Sequence, residues 1–186
     1  MRQLFELIPS NKRKRVFWFL IISTLLIMFV MNLIGAPLLT EAAPSGIISY
    51  EFAGTISRTE EILDSWDQNA LLHAAFSLGL DYLFMVFYAS AISFVCLWTL
   101  EVVLERKWPL AFLGIPLAWG LWLAALLDAI ENLGLTLNLF GPVVSPWPEI
   151  AHWCATFKFI FIFLGLVYSF YGLVVGLISK HSSHRL

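Results

Sequence analysis

Four long apolar runs, at 17–37, 70–100, 109–137 and 149–179, alternate along the chain with shorter polar or charged connections. A hydrocarbon core of about 30 Å takes roughly 20 helical residues to cross, and each run is long enough. Lipid offers backbone amides and carbonyls no partner, so each run is predicted to be an α-helix rather than an open strand. The pattern reads as an all-α integral membrane protein: a single multipass domain over 1–186, folded as a four-helix transmembrane bundle. The first run follows NKRKR and precedes TEAAP in the manner of a signal peptide. Its apolar core exceeds the roughly 7 to 15 residues of a signal h-region, so it is read as a retained span.

The longest connection, 38–69, has a pattern of its own. Ser57 with Glu60 three residues later has the form of a capping box, and Ile62, Leu63 and Trp66 share a face. Together they predict a short amphipathic helix in this first outer loop. The apolar stretch GIISYEFAG, bracketed by Gly46 and Gly54, is expected to pack over the helix ends. The alternative is that it dips into the mouth of the bundle and carries Glu51 with it. Pro148 and Glu149 suit the first turn of the fourth helix, and Pro116 is a candidate kink in the third.

Charge sets the expected orientation. Lys12, Arg13, Lys14 and Arg15 precede the first span, Arg106 and Lys107 join the second to the third, and Lys180 and Arg185 follow the fourth. The 38–69 connection carries Glu41, Glu51, Glu60, Glu61, Asp64 and Asp67 against Arg58. By the positive-inside rule both termini are cytoplasmic. Trp18, Trp98 and Trp108 then fall near the inner face, and Trp66, Trp147 and Trp153 near the outer one. The compact form and the lack of a recognised targeting segment make the bacterial inner (plasma) membrane the expected location.

Composition agrees with the pattern: 60% of residues are hydrophobic and 13% charged, with a mean hydropathy of +0.83. A formal net charge of -2 and the lack of a basic stripe argue against a nucleic-acid partner. The lipid bilayer is the first partner expected. Beyond it stand a small cation or lipid ligand, a second copy of the chain, or another membrane protein. Cys96 and Cys154 fall near opposite faces and cannot pair within one chain.

The candidate chemistry lies in polar residues inside apolar runs. Counting about 1.5 Å per helical residue, Asp81, Asp128 and Lys158 reach a similar depth, roughly 13 to 17 Å from the outer surface. Glu131, Asn132, His73 and His152 lie shallower on the same side, with Asn32 as a further candidate. Three- and four-residue spacing puts His73, Ser77, Asp81 and Tyr88 on one stripe of the second helix. It puts Gly120, Ala124, Asp128, Glu131 and Asn132 on one stripe of the third. Lys158 falls on a seam of small residues on the fourth, from Ala151 to Gly176, of the kind that lets membrane helices approach closely.

A charge near mid-bilayer costs at least about 2.5 to 3.5 kcal/mol, so these groups are expected to face inward and find partners. Lys158 is the available partner of Asp81 or Asp128, and one lysine cannot neutralise three acids. The leading expectation is a structural, assembly or accessory role, in which a buried pair fixes helix register. One alternative is a proton-, cation- or amine-binding transport site, with Trp119, Trp122 and Tyr88 around the cation. Another is an intramembrane acid–base enzyme acting on a lipid or isoprenoid. No catalytic, diphosphate-binding or metal-ligand motif is present, and DxxEN at 128–132 is too short to be specific. His73 and His152 lie at matching depth, as bis-His haem or metal ligation needs, but without ligand spacing, so no cofactor and no metal is expected.

Overall fold

The computed structural model describes residue 5 and residues 7–182, with side chains through 178. Arg185 and the side chain of Lys180, part of the orientation argument, lie outside them. All regular structure among the described residues is helical. Helix α1 spans Ser10–Ile34, α2 Ile47–Glu51, α3 Ile56–Asp64, α4 Gln68–Glu105, α5 Gly114–Phe140 and α6 Trp147–Ser182, with 3-10 turns at Ala36–Leu38 and Ala111–Leu113. Four of these helices, α1, α4, α5 and α6, are long and apolar enough to cross a membrane.

The helices outrun the apolar segments for local reasons. Helix α1 begins at Ser10 and takes in the basic stretch, since Lys and Arg are good helix formers outside lipid as well. It ends where Pro37 enters a 3-10 turn. Helix α4 starts two residues early, at Gln68, because the Asp67 carboxylate accepts the Ala70 N–H at 2.7 Å. Helix α5 starts later than expected, at Gly114. Pro116 therefore sits in its first turn, where backbone N–H groups have no intrahelical partner, and the expected kink has no cause.

Helices α4, α5 and α6 pack on one another pairwise, and α1 lies outside against α4. In α1 only Ile27 is buried. Asn32 is exposed, so the expected contribution of the first span to a polar interior is corrected: α1 turns a nearly uniform apolar surface outward. At the end distant from α2 and α3, glycines set the spacing. A Cβ on Gly165 would lie 2.7 Å from Leu121 Cδ2, and one on Gly172 would collide with the Thr99 side chain.

The segment 36–66 folds over the other end as a cap. Leu38, Tyr50, Ile62 and Trp66 form its core with Ala74 of α4 and Leu135 of α5. Trp66 is buried, and its indole N–H donates to the Leu38 carbonyl at 3.0 Å. It belongs to the cap interior and not to an interfacial belt. The amphipathic helix α3 begins two residues before the expected capping box. Thr55 is its cap, its hydroxyl accepting the Arg58 N–H at 3.3 Å, which leaves Ser57 in the first turn. The five-residue α2 was not predicted as a helix. It is framed by Gly46 and Gly54, whose φ values of 59° and 70° are strained for other residues.

Candidate functional site

Lys158 arrives from α6, where it is 4% exposed, and its ammonium is ringed by carboxylates. It donates to Asp128 Oδ1 at 2.7 Å and Glu131 Oε1 at 2.9 Å, both on α5. Glu51 Oε2, at the end of α2, stands 3.3 Å from the same nitrogen. The three-residue step from Asp128 to Glu131 puts both acids on one face of α5, toward α6. The cap supplies the third.

Helix α4 closes the other side. The Tyr88 hydroxyl donates to Asp128 Oδ2 at 3.0 Å, so both oxygens of that carboxylate are engaged. Asp81 does not reach the ammonium. Its Oδ2 accepts from the Asn132 amide at 2.6 Å, and it stands in the field of Asp128 and Lys158. Ser77 is buried one turn before Asp81. Thus Asp81, Asp128, Glu131, Asn132 and Lys158 meet in one place, joined by Tyr88 and by Glu51.

Glu51 dips inward, the less expected of the two readings of its segment, and the cause is visible in its neighbours. The Tyr50 hydroxyl donates to the Leu135 carbonyl at 2.9 Å. The Phe52 ring stacks on Phe159 at 5.8 Å, and the Phe52 carbonyl lies 3.3 Å from His152 Nδ1. One turn of helix anchored on both sides has to point Glu51 at α6. Burial raises the Glu51 carboxyl above the usual carboxylate range, and the nearby Lys158 ammonium opposes that rise without cancelling it.

The four acids and one ammonium carry a formal charge of -3 if all are ionised (four negative, one positive). Their polar atoms are also incompletely paired. Glu131 is fully buried, yet its Oε2 has no hydrogen-bond partner among the described residues, while Glu51 Oε2 has the Lys158 ammonium as an ion-pair partner at 3.3 Å without an aligned hydrogen bond. Seven residues further along α5, Asn138 is 1% exposed and both its amide atoms lack partners. Glu149 Oε2, in the first turn of α6, is unpaired too. A buried polar group left unmet costs about 1 to 3 kcal/mol, so these atoms call for partners beyond the described side chains. Asn138 escaped the sequence reading, although its step of seven from Glu131 continues the same polar stripe. Tyr50 gave no signal, because its role depends on the fold of the cap.

The remaining candidates lie elsewhere. His73 Nδ1 sits 2.8 Å from the Ile34 carbonyl, and His152 serves the cap backbone. The two histidines do not face a common ligand, which corrects the bis-His idea. Trp119 and Trp122 are exposed on the outside of α5, so the aromatic wrapping expected of them is absent; Tyr88 alone of that trio faces the charges. Among the described residues no three His, Cys, Asp or Glu side chains are arranged to hold a metal ion. Cys96 and Cys154 are both free. No protein-family model, curated protein or solved structure matches the chain.

Proposed function

We propose that this is an integral membrane protein whose buried cluster is a proton-binding site covered by the 36–66 cap. The spans form a four-helix bundle, with both termini and the 106–107 turn on the cytoplasmic side and the cap on the outer side. Support for that orientation is the segregation of exposed Lys12, Lys14, Arg15, Arg106 and Lys107 to the end opposite the cap.

The observation that carries the proton reading is the surplus of acid. A single carboxylate would suffice to fix Lys158 structurally, yet three contact the one ammonium, a fourth, Asp81, stands beside them, and Glu131 keeps an unpaired buried oxygen. Desolvated carboxylates at this spacing cannot all ionise, so the group as a whole retains protons at neutral pH. Proton counting on protein in lipid nanodiscs tests this. Wild type is expected to bind more protons around neutral pH than Glu131→Gln. Identical titration curves would end the proposal.

A structural role has its own support. The Lys158 ammonium joins the cap, α5 and α6, which would fix their mutual register. The two roles coexist if Lys158 and Asp128 make the tie while Glu51, Asp81 and Glu131 carry the exchangeable proton.

A further inference from the structure

The cluster lies under the cap, and a proton site needs a way in. Resting on the proton-binding reading above, we infer that protons reach the cluster along the cap-facing stripe of α5, through internal water held by Asn138 and the Tyr50 hydroxyl. Asn138 stands two residues from the end of α5, where Phe140 is exposed. Its side chain is buried, and neither its donors nor its acceptor has a partner among the described residues. An amide offers two donors and an acceptor, the kind of polar lining that holds a buried water.

The spacing links this amide to the acids. Asn138, Leu135 and Glu131 lie on one face of α5 in steps of three and four, spanning about 10 Å. Leu135 offers no polar side chain, but its carbonyl is where the Tyr50 hydroxyl docks. That hydroxyl donates to the carbonyl and keeps its lone pairs for water. A polar group therefore stands at each step: the Asn138 amide near the end of α5, the Tyr50 hydroxyl at mid-path, and the unpaired Oε2 of Glu131 at the end. The groups around that terminus are Glu51 from the cap, Asp128 and Glu131 from α5, Asp81 and Tyr88 from α4, and Lys158 from α6. Helix α1 adds no charge here. The proton passes from water to water, each water oxygen accepting one proton and handing another on, while the Asn138 amide and the Tyr50 hydroxyl, whose own proton stays on the Leu135 carbonyl, only hold the waters in place.

The test is a pH jump on protein in nanodiscs, following the C=O stretch of protonated carboxyls by time-resolved infrared spectroscopy. Asn138→Leu removes the polar lining and puts a larger apolar side chain in its place, so the band should respond about tenfold more slowly or worse, with its equilibrium amplitude unchanged. Asn138→Ala leaves room for water and should stay close to the wild-type rate. Tyr50→Phe interrupts the middle of the path and should also slow the response, which keeps the test alive if Asn138→Leu fails to fold. Wild-type rates in folded Asn138→Leu or Tyr50→Phe would overturn the path while leaving the proton site standing. A wild type whose carboxyl band never responds to pH would overturn the proton site itself, and the path with it.

Discussion

The two ends of this molecule are held together by different physics. Away from the cap, α4, α5 and α6 meet through glycine, alanine, serine and threonine. The Ser93 hydroxyl donates to the Ala118 carbonyl at 2.9 Å, the Cys96 thiol lies 3.6 Å from the Gly165 carbonyl, and Gly172 lies against Thr99. Among the described residues, the unpaired buried side-chain atoms other than the Tyr168 hydroxyl lie at the cap end. There, four carboxyls and an ammonium lie together, Glu131 among them and the nearby Asn138 keep unpaired polar atoms, and a further unpaired carboxylate oxygen lies in the first turn of α6. Close packing at one end asks nothing of the solvent. The cap end gathers desolvated charge, which the proposed proton site would put to use.

Breaking the comparison from the polar side should give the largest effect. Lys158→Met leaves three carboxyls without their cation and should destabilise the protein by about 3 to 5 kcal/mol, measured by thermal unfolding in detergent. Adding Asp128→Asn should recover much of that loss, because Asp128 holds the shortest contact to the ammonium. Simple additivity of the two changes would show that they do not act as a pair.

From the packed side, Gly172→Ala should cost about 1 to 3 kcal/mol by forcing α6 away from Thr99, at every pH. Thr99→Ala should relieve most of it. If Gly172→Ala is neutral alone, the small-residue seam does not set the helix spacing.

The cap should respond to pH more gently, and with a definite sign. Burial raises the Glu51 carboxyl, so the folded state holds that proton more tightly than the unfolded chain. Stability from Glu51 is then fully present below the ordinary carboxylate value and is lost as pH rises through the raised one. Wild type should lose stability as pH climbs above the usual carboxylate range, and Glu51→Gln should flatten that fall. A steeper fall in Glu51→Gln would reverse the assignment. The smallest effect belongs to Arg13→Ala. The pair of Arg13 with Glu101, at 2.5 Å, is partly exposed near the end opposite the cap, and such pairs contribute about 1 kcal/mol or less.

Much of this architecture is legible in the hydrophobic pattern, because a long apolar run has one favourable outcome and its length sets the count. Asp128, Glu131 and Lys158 are legible for a related reason: a charge inside such a run has to turn inward, and helical spacing says which residues turn with it. What local spacing cannot supply is a partner's address. Lys158 suits Asp81 or Asp128 by depth, and the choice of Asp128 depends on how α4 is rotated, which leaves Asp81 to Asn132. Glu51 comes from a non-periodic segment, and its arrival rests on Tyr50 and Phe52 finding α5 and α6. Trp119 and Trp122 mislead because aromatic residues suit both a lipid face and a cation cage.

The central claim is that the cluster holds a proton at neutral pH, and infrared difference spectroscopy reads this directly. A protonated-carboxyl C=O band should be present at neutral pH in wild type and should weaken in Glu131→Gln or Glu51→Gln protein that remains folded. Its absence from wild type at neutral pH would mean that every acid around Lys158 is ionised, and would contradict the account.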